Sequence, residues 1–217
     1  MENSQIIDKT AEYVRRKLEG ESSGHDWWHV YRVWEVAKTI AEKENADNFV
    51  VELAALLHDI SDWKFNDGDD TVGPRIAGEW LQSLDIDNKT IKTVQEAIED
   101  ISFKGAGVVK EVRSREGKIV QDADRLDAIG AIGIGRTFAY GGYKGREMYN
   151  PDVKVKMANN FEEYKSAGMT TINHFYEKLL LLKDLMNTKT AQKMAENRHK
   201  VMERFLDEFY LEWDGKV

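Results

Sequence analysis

Cysteine is absent from this chain of 217 residues, and proline occurs only twice, at Pro74 and Pro151. The first absence excludes disulfides, thiolate catalysis and cysteine-type zinc sites, so any metal must be held by imidazole and carboxylate. The second removes the commonest helix breaker and leaves long stretches free to stay helical. Positive charge is also short, with 31 Lys and Arg against 39 Asp and Glu, a net charge of −8. Such a surface repels a phosphate backbone on average, which argues against a general nucleic-acid binder. No apolar run approaches the length of a membrane span, and the opening stretch MENSQIIDKTAEYVRRKLEG reads as an amphipathic helix without an apolar targeting core. A cytoplasmic protein with no membrane contact is the expectation.

What the chain does contain is helical periodicity. Apolar residues recur at three- and four-residue spacing and predict helices over 4–18, 28–44, 48–59, 75–84, 88–101, 115–137, 170–186 and 190–210. No segment reads as a strand, so the expected fold class is all-α, and the length suits one compact domain spanning 1–217. Three stretches are left as loops: SDWKFNDGDDTVG (61–73), SFKGAGVV (102–109) and the long segment 139–169, which opens AYGGYKGREMYNP. Long loops inside a compact domain are usually functional. The last sets basic residues beside Gly141, Gly142 and Gly145, as a phosphate-contacting lid would, although solvated Lys and Arg on a surface loop give the same pattern.

Chemistry gathers in three places. AALLHDISDWKF (54–65) ends an Ala- and Leu-rich helix in His58 and Asp59, an imidazole and a carboxylate that are costly to bury without a partner. GKIVQDADRLDAIGAIGIGRTF (117–138) sets Asp122, Asp124 and Asp127 in an otherwise apolar helix, where Asp124 and Asp127 share a face and Asp122 is turned away. At least one of these acids should face a cation, or else they form structural ion pairs with Arg125 or Arg136. GHDWWHVYRV (24–33) holds His25 and His29 four residues apart, so one can join a metal site while the other meets a substrate or outer group. Trp27, Trp28 and Trp34 read most simply as packing aromatics.

The ordered set His29, His58-Asp59, Asp124 resembles the H…HD…D signature of the HD superfamily of metal-dependent phosphohydrolases. GHDWWHVYRV is similar to that family's stretch around its first histidine. ADRLD is similar to its ADR around the last aspartate, as also in the alarmone hydrolases of the stringent response. A narrower likeness runs almost the whole length: ALLHDISDWKF, QDADRLDAIGAIGIGRTFAYGG, NHFYEKLLLLKDLMNT and RFLDEF resemble the small stand-alone HD hydrolases of the YpgQ/YedJ group.

The resemblance implies an all-helical HD bundle with a metal-binding core over about 20–137 and a helical C-terminal extension or lid over about 138–217. It implies His29, His58, Asp59 and Asp124 as ligands of one divalent ion. Mixed N/O ligation suits Mn²⁺ best, with Fe²⁺, Co²⁺ or Ni²⁺ next and Mg²⁺ less suited. No histidine lies between His58 and His174, which favours a single ion and disfavours a di-iron oxygenase; His174 and His199 read as packing or surface residues.

The implied activity is nucleoside triphosphate pyrophosphohydrolysis, giving a monophosphate and pyrophosphate. The alternatives are a phosphomonoesterase or phosphodiesterase on the same site, and a non-catalytic nucleotide-binding regulator. By the same resemblance Asp62 is the general acid/base candidate, with an ordinary turn aspartate as the plain reading. Lys64 can neutralise phosphate charge, and His25, Lys104, Arg125, Arg136, Lys144 and Arg146 are candidates to contact the substrate. The expected partner is a small phosphorylated molecule, bound by a monomer or homodimer in which Tyr210 or Trp213 could mark the contact.

Overall fold

A computed structural model of the chain describes residues 1–20, 26–61, 69, 71–101, 112–155 and 170–217. Its described elements are helices and contain no strand, as the periodicity predicts. The chain divides into two compact units, the first running as far as Asp124 and the second comprising Arg125–Val217.

The first unit is built round one helix with almost no solvent face. Helix α3 (Asn48–Leu57) buries Leu53, Ala54, Ala55, Leu56 and Leu57 completely. Asp47 caps it, accepting from the amides of Phe49 and Val50. Around it pack α1 (Asn3–Lys17), α2 (Trp27–Glu44) and α5 (Asn88–Ile101), with α4 (Val72–Ser83) laid against α5. Truncating one such leucine, as in Leu56→Ala, costs about 2–5 kcal/mol, because the packed surroundings cannot collapse into the cavity.

Helix α2 faces α3 with the stripe Val30, Val33, Ala37, Ile40 and Ala41. It stops at Asn45, whose φ of 53° is the left-handed conformation that ends a helix. Helix α1 is tied to α4 by a stacked ring pair, Tyr13 on Trp80 at 4.0 Å, and by the Trp80 indole N–H donating to Thr10 Oγ1 at 3.0 Å. Gly78 brings α4 close to α5: a Cβ there would lie 2.3 Å from Gln95 Nε2, which donates to the Pro74 carbonyl at 2.9 Å.

Helix α6 (Arg115–Asp127) carries the aspartates, and its last residues are counted with the second unit. The periodicity predicts one helix over 115–137, but the chain breaks and restarts as α7 (Gly130–Tyr143). Gly130 has φ 76°, and a Cβ there would sit 2.9 Å from Arg198 Cβ. The Arg198 guanidinium in turn donates to the Leu126 carbonyl, which also accepts from the Ile129 amide at 3.2 Å, so this acceptor holds the end of α6 from two sides. A close tertiary approach, invisible in the local pattern, therefore overrides the periodicity.

The segment 139–169, expected as loop, begins as helix, since α7 runs on to Tyr143. The predicted helix 170–186 is likewise two pieces, α8 (Thr171–Glu177) and a 3₁₀ segment (Leu179–Leu185). In that segment Leu179 and Leu182, three apart, are buried, while Leu181 and Leu185 face out. A three-residue repeat matches 3₁₀ geometry, and the run of four leucines masked it. The long α9 (Lys189–Trp213) closes the unit on a ring cluster, with Phe205 5.8 Å from Phe138 and 5.7 Å from Phe175.

Candidate metal centre

Three elements of the first unit converge on one point. Asp26 caps α2 by accepting from the His29 amide at 2.9 Å, so the cap holds the first turn in the register that buries His29, 1% exposed. At the end of α3, the His58 Nδ1–H donates to the Ala55 carbonyl at 2.8 Å. That bond orients the ring and leaves Nε2 to face the cluster. Asp59 follows directly, and Asp124 arrives from α6.

The His29 Nε2 atom lies 3.4 Å from His58 Nε2, 3.3 Å from Asp59 Oδ2 and 3.4 Å from Asp124 Oδ1, and His58 Nε2 lies 3.4 Å from Asp59 Oδ2. These separations are long for hydrogen bonds, which centre near 2.9–3.0 Å. They are what a shared cation would set: two donors each about 2.1 Å from one ion stand about 3.0 Å apart at a right angle and about 3.4 Å at a tetrahedral angle. His29, His58 and Asp59 form the tight group, with donor atoms all within 4.8 Å of one another, and Asp124 joins it through His29. The residues present fit a divalent ion.

Burial grades across the group. The side chains of His29 and His58 are 1% and 2% exposed, Asp59 18% and Asp124 40%. Imidazoles thus make a dry floor and carboxylates a rim that reaches solvent, which leaves access for another oxygen ligand. Burial alone would lower the His58 pKa, but the Asp59 carboxylate beside it, with Asp124, outweighs this and pushes it up to about 9. Without an ion the ring holds a proton against its acidic neighbours; a divalent cation would stand in for that proton.

The other predicted residues are dispersed. His25, Asp62, Lys64 and Lys104 lie outside the described residues. Arg125 donates to the Leu185 carbonyl and Arg136 pairs with the buried Asp127, both within the second unit, so both have structural partners. Asp122 is fully buried, and the acid facing the imidazoles is Asp124. Lys144 and Arg146 lie in the second unit, over the rings of Tyr140 and Tyr143. His174 and His199 belong to that unit too, His199 beside Glu203 at 3.3 Å.

Among the tryptophans, Trp34 packs α2 on α3 by donating to Glu52 at 2.9 Å. Trp28, expected as a packing residue, is instead 58% exposed, since its position on α2 faces away from α3. A surface groove of about 460 Å³ between α1 and the start of α2 holds none of the four metal-facing residues. Sequence reasoning missed the supporting pair, Asp26 and the Ala55 carbonyl. The signal for the first was present in GHDWWH, an Asp three residues before a histidine that opens a helix.

The comparisons agree with this geometry. The HD domain family matches residues 27–129, which include all four side chains. The chain is 43% identical over 197 residues to the YpgQ protein of Bacillus subtilis, covering 89% of this chain and 87% of that one. This chain belongs to the HD superfamily. Among solved structures, an HD-superfamily hydrolase from Bacillus thuringiensis superposes with a TM-score of 0.79 at 42% identity, covering 98% of this chain and 99% of that one. The structure of Bacillus subtilis YpgQ in complex with ADP superposes with a TM-score of 0.73 at 39% identity, covering 94% and 95%.

Proposed function

We propose that the chain is a metal-dependent phosphohydrolase that acts on nucleotides, cleaving a nucleoside triphosphate to a monophosphate and pyrophosphate. The observation that supports it most is the convergence of two imidazoles and two carboxylates at 3.3–3.4 Å, closed on the histidine side and open on the acidic one. The ADP held by Bacillus subtilis YpgQ supports a nucleotide as the substrate class.

In this reading His29, His58, Asp59 and Asp124 hold one divalent ion, Mn²⁺ being the best match to a mixed N/O donor set. Once bound, such an ion supplies Lewis acidity, polarising a phosphoryl oxygen and acidifying water. The Ala55 carbonyl keeps Nδ1 of His58 protonated and so keeps Nε2 as the donor atom. The partly exposed Asp124 and Asp59 give the reacting group a way in. Asp62 handles the proton of the attacking water or the leaving group, and Lys64 offsets phosphate charge.

The test strips the protein with a chelator, restores Mn²⁺, Fe²⁺, Co²⁺, Ni²⁺ and Mg²⁺ one at a time, and separates the products from a panel of nucleotides. A monophosphate with pyrophosphate is the expected result. Release of orthophosphate would replace it with a phosphomonoesterase, and tight nucleotide binding with no turnover in any ion with a binding protein. Asp62→Asn should retain the ion and lose most of the rate.

A further inference from the structure

Of the four metal-facing side chains, Asp124 is the one that burial does least to hold. The side chains of His29 and His58 are 1% and 2% exposed, and a hydrogen bond sets each in place, through the Asp26 cap for the first and the Ala55 carbonyl for the second. Asp124 is 40% exposed and stands on the last turn of α6, which ends at Asp127. Its approach to His29, at 3.4 Å, therefore depends on how that turn is closed and rotated. The last carbonyls of a helix lack intrahelical partners, and helix ends fray. Here the closing bonds are of the tighter 3₁₀ kind: the Ala128 amide donates to the Arg125 carbonyl and the Ile129 amide to the Leu126 carbonyl, both at 3.2 Å.

Three guanidinium groups reinforce that turn, one at each of the residues that follow Asp124. Arg125 donates to the Leu185 carbonyl at the end of the 3₁₀ segment. The Leu126 carbonyl accepts from Arg198 of α9, and the Asp127 carboxylate pairs with Arg136 of α7. Arg198 serves the turn in more than one way. Its guanidinium also attracts the buried Asp127, and its stem lies against the break that follows α6, where a Cβ on Gly130 would stand 2.9 Å from Arg198 Cβ and 3.0 Å from its Cγ. Burial works against the charge of Arg198, so the fold keeps this residue beside the end of α6 at a cost.

We infer that Arg198 is a positioning residue for the metal centre: by clasping the last turn of α6 it fixes the rotation of that turn and so the reach of Asp124 toward the imidazoles. A ligand must be held to within about 0.5 Å of its working place. A half-exposed carboxylate gets that precision from its backbone. The inference rests on the metal reading of the four side chains and adds to it the residue that aims one of them.

The test measures Mn²⁺ affinity of the full-length protein by competition with a chromogenic chelator, and stability by urea unfolding. Arg198→Met should weaken Mn²⁺ binding about ten-fold, and Arg198→Lys, which keeps a donor for the Leu126 carbonyl, should restore most of it. In the Asp124→Ala background, Arg198→Met should weaken binding by less than about two-fold, because its effect passes through the carboxylate already removed. Met202→Ala, four residues along α9 and fully buried, is the control. It should lower stability at least as much as Arg198→Met and leave Mn²⁺ affinity unchanged. Should Arg198→Met fail to fold, Arg198→Gln and Gly130→Ala take its place, the latter driving a methyl group into the Arg198 stem, and each should show the same non-additive loss. Unchanged binding in the clasp variants, a loss that persists undiminished in Asp124→Ala, or an equal loss in Met202→Ala overturns the inference and leaves the metal centre standing. No Mn²⁺ uptake by wild type would instead sink the metal centre, and the role of Arg198 with it.

Discussion

The two units handle charge in opposite ways. In the first, two imidazoles and two carboxylates are turned inward at 3.3–3.4 Å, each delivered by a helix or its immediate end. In the second, Lys144 and Arg146 lie outward on tyrosine rings, placed by a helix stop. The contrast shows what inward-facing charge demands of a fold. A cation needs several donors at fixed separation, which rigid helices with buried faces can hold. Cations on a surface turn need no such frame, and aromatic faces hold them there.

The sharpest way to break the comparison is at the metal-facing group. His58→Ala removes a donor from the tight trio, and metal retention and turnover should fall by about a thousand-fold or more. Asp124→Ala should abolish turnover as well, with a smaller loss of ion, since its side chain is the most exposed of the four. Elemental analysis after gel filtration reads the first effect and product formation the second. Circular dichroism should stay unchanged for both, because α3 is held by leucines and not by the site. Variants that keep their metal would dismantle this reading of the first unit.

A second test contrasts two arginines of the same unit. Arg136 pairs with Asp127, whose side chain is 2% exposed and which the Arg198 guanidinium also attracts, so Arg136→Met removes one partner of a buried carboxylate and should cost about 1–3 kcal/mol in urea unfolding. Arg146→Met, by contrast, removes a cation that rests on the Tyr140 ring and meets no carboxylate at ion-pair distance among the described residues, and should change stability by about 0.5 kcal/mol or less. Equal costs would mean that Arg146 is as structural as Arg136 and that its place on the Tyr140 ring matters to the fold.

The motif residues were legible because their meaning is local: a histidine and an aspartate closing an apolar helix, and aspartates in another, need no knowledge of the fold. That Asp124 and not Asp122 meets the imidazoles came from the resemblance to the HD family and is matched by the geometry. The break at Gly130 was not legible, since several glycines occupy that run and only the approach of Arg198 decides which one bends. Trp28 was misread for a similar reason, because its apolar surface is a local fact and the side of α2 it occupies is a tertiary one. Asp26 was missed as a cap, and its value lies in the side chain that the cap sets in place, which is again a tertiary fact.

Histidine titration sharpens the comparison further. The folded ring of His174 is held down to about 3 against an ordinary value of 6.5, by burial and by Lys178 and Arg146. The unfolded chain therefore binds the extra proton between those values, and stability falls as pH drops from about 6.5 towards about 3, by about 1.4 kcal/mol per unit. Above about 6.5 the residue contributes no slope. Urea unfolding at pH 7.0 and 5.5 should show the difference, and His174→Gln should reduce it. A slope unaffected by that substitution would place the acid sensitivity elsewhere.

The smallest effect distinguishes the units most cleanly. Each has a helix capped by one side chain: Asp26 accepts from the His29 amide at 2.9 Å, and Thr170 accepts from the Asn173 amide at 3.1 Å. Replacing either by alanine leaves one amide without its acceptor and should cost about 1 kcal/mol of stability. The residue three places into α2, however, is a member of the metal-facing group, whereas its counterpart in α8 is an asparagine that donates to the Val153 carbonyl. Asp26→Ala should thus loosen His29 and weaken metal affinity several-fold, Asp26→Ser should restore much of it, and Thr170→Ala should leave metal affinity untouched at the same loss of stability. Competition with a chromogenic chelator measures the affinity and urea unfolding the stability. If the two alanine variants weaken metal binding alike, the effect is general destabilisation and Asp26 has no particular hold on the centre.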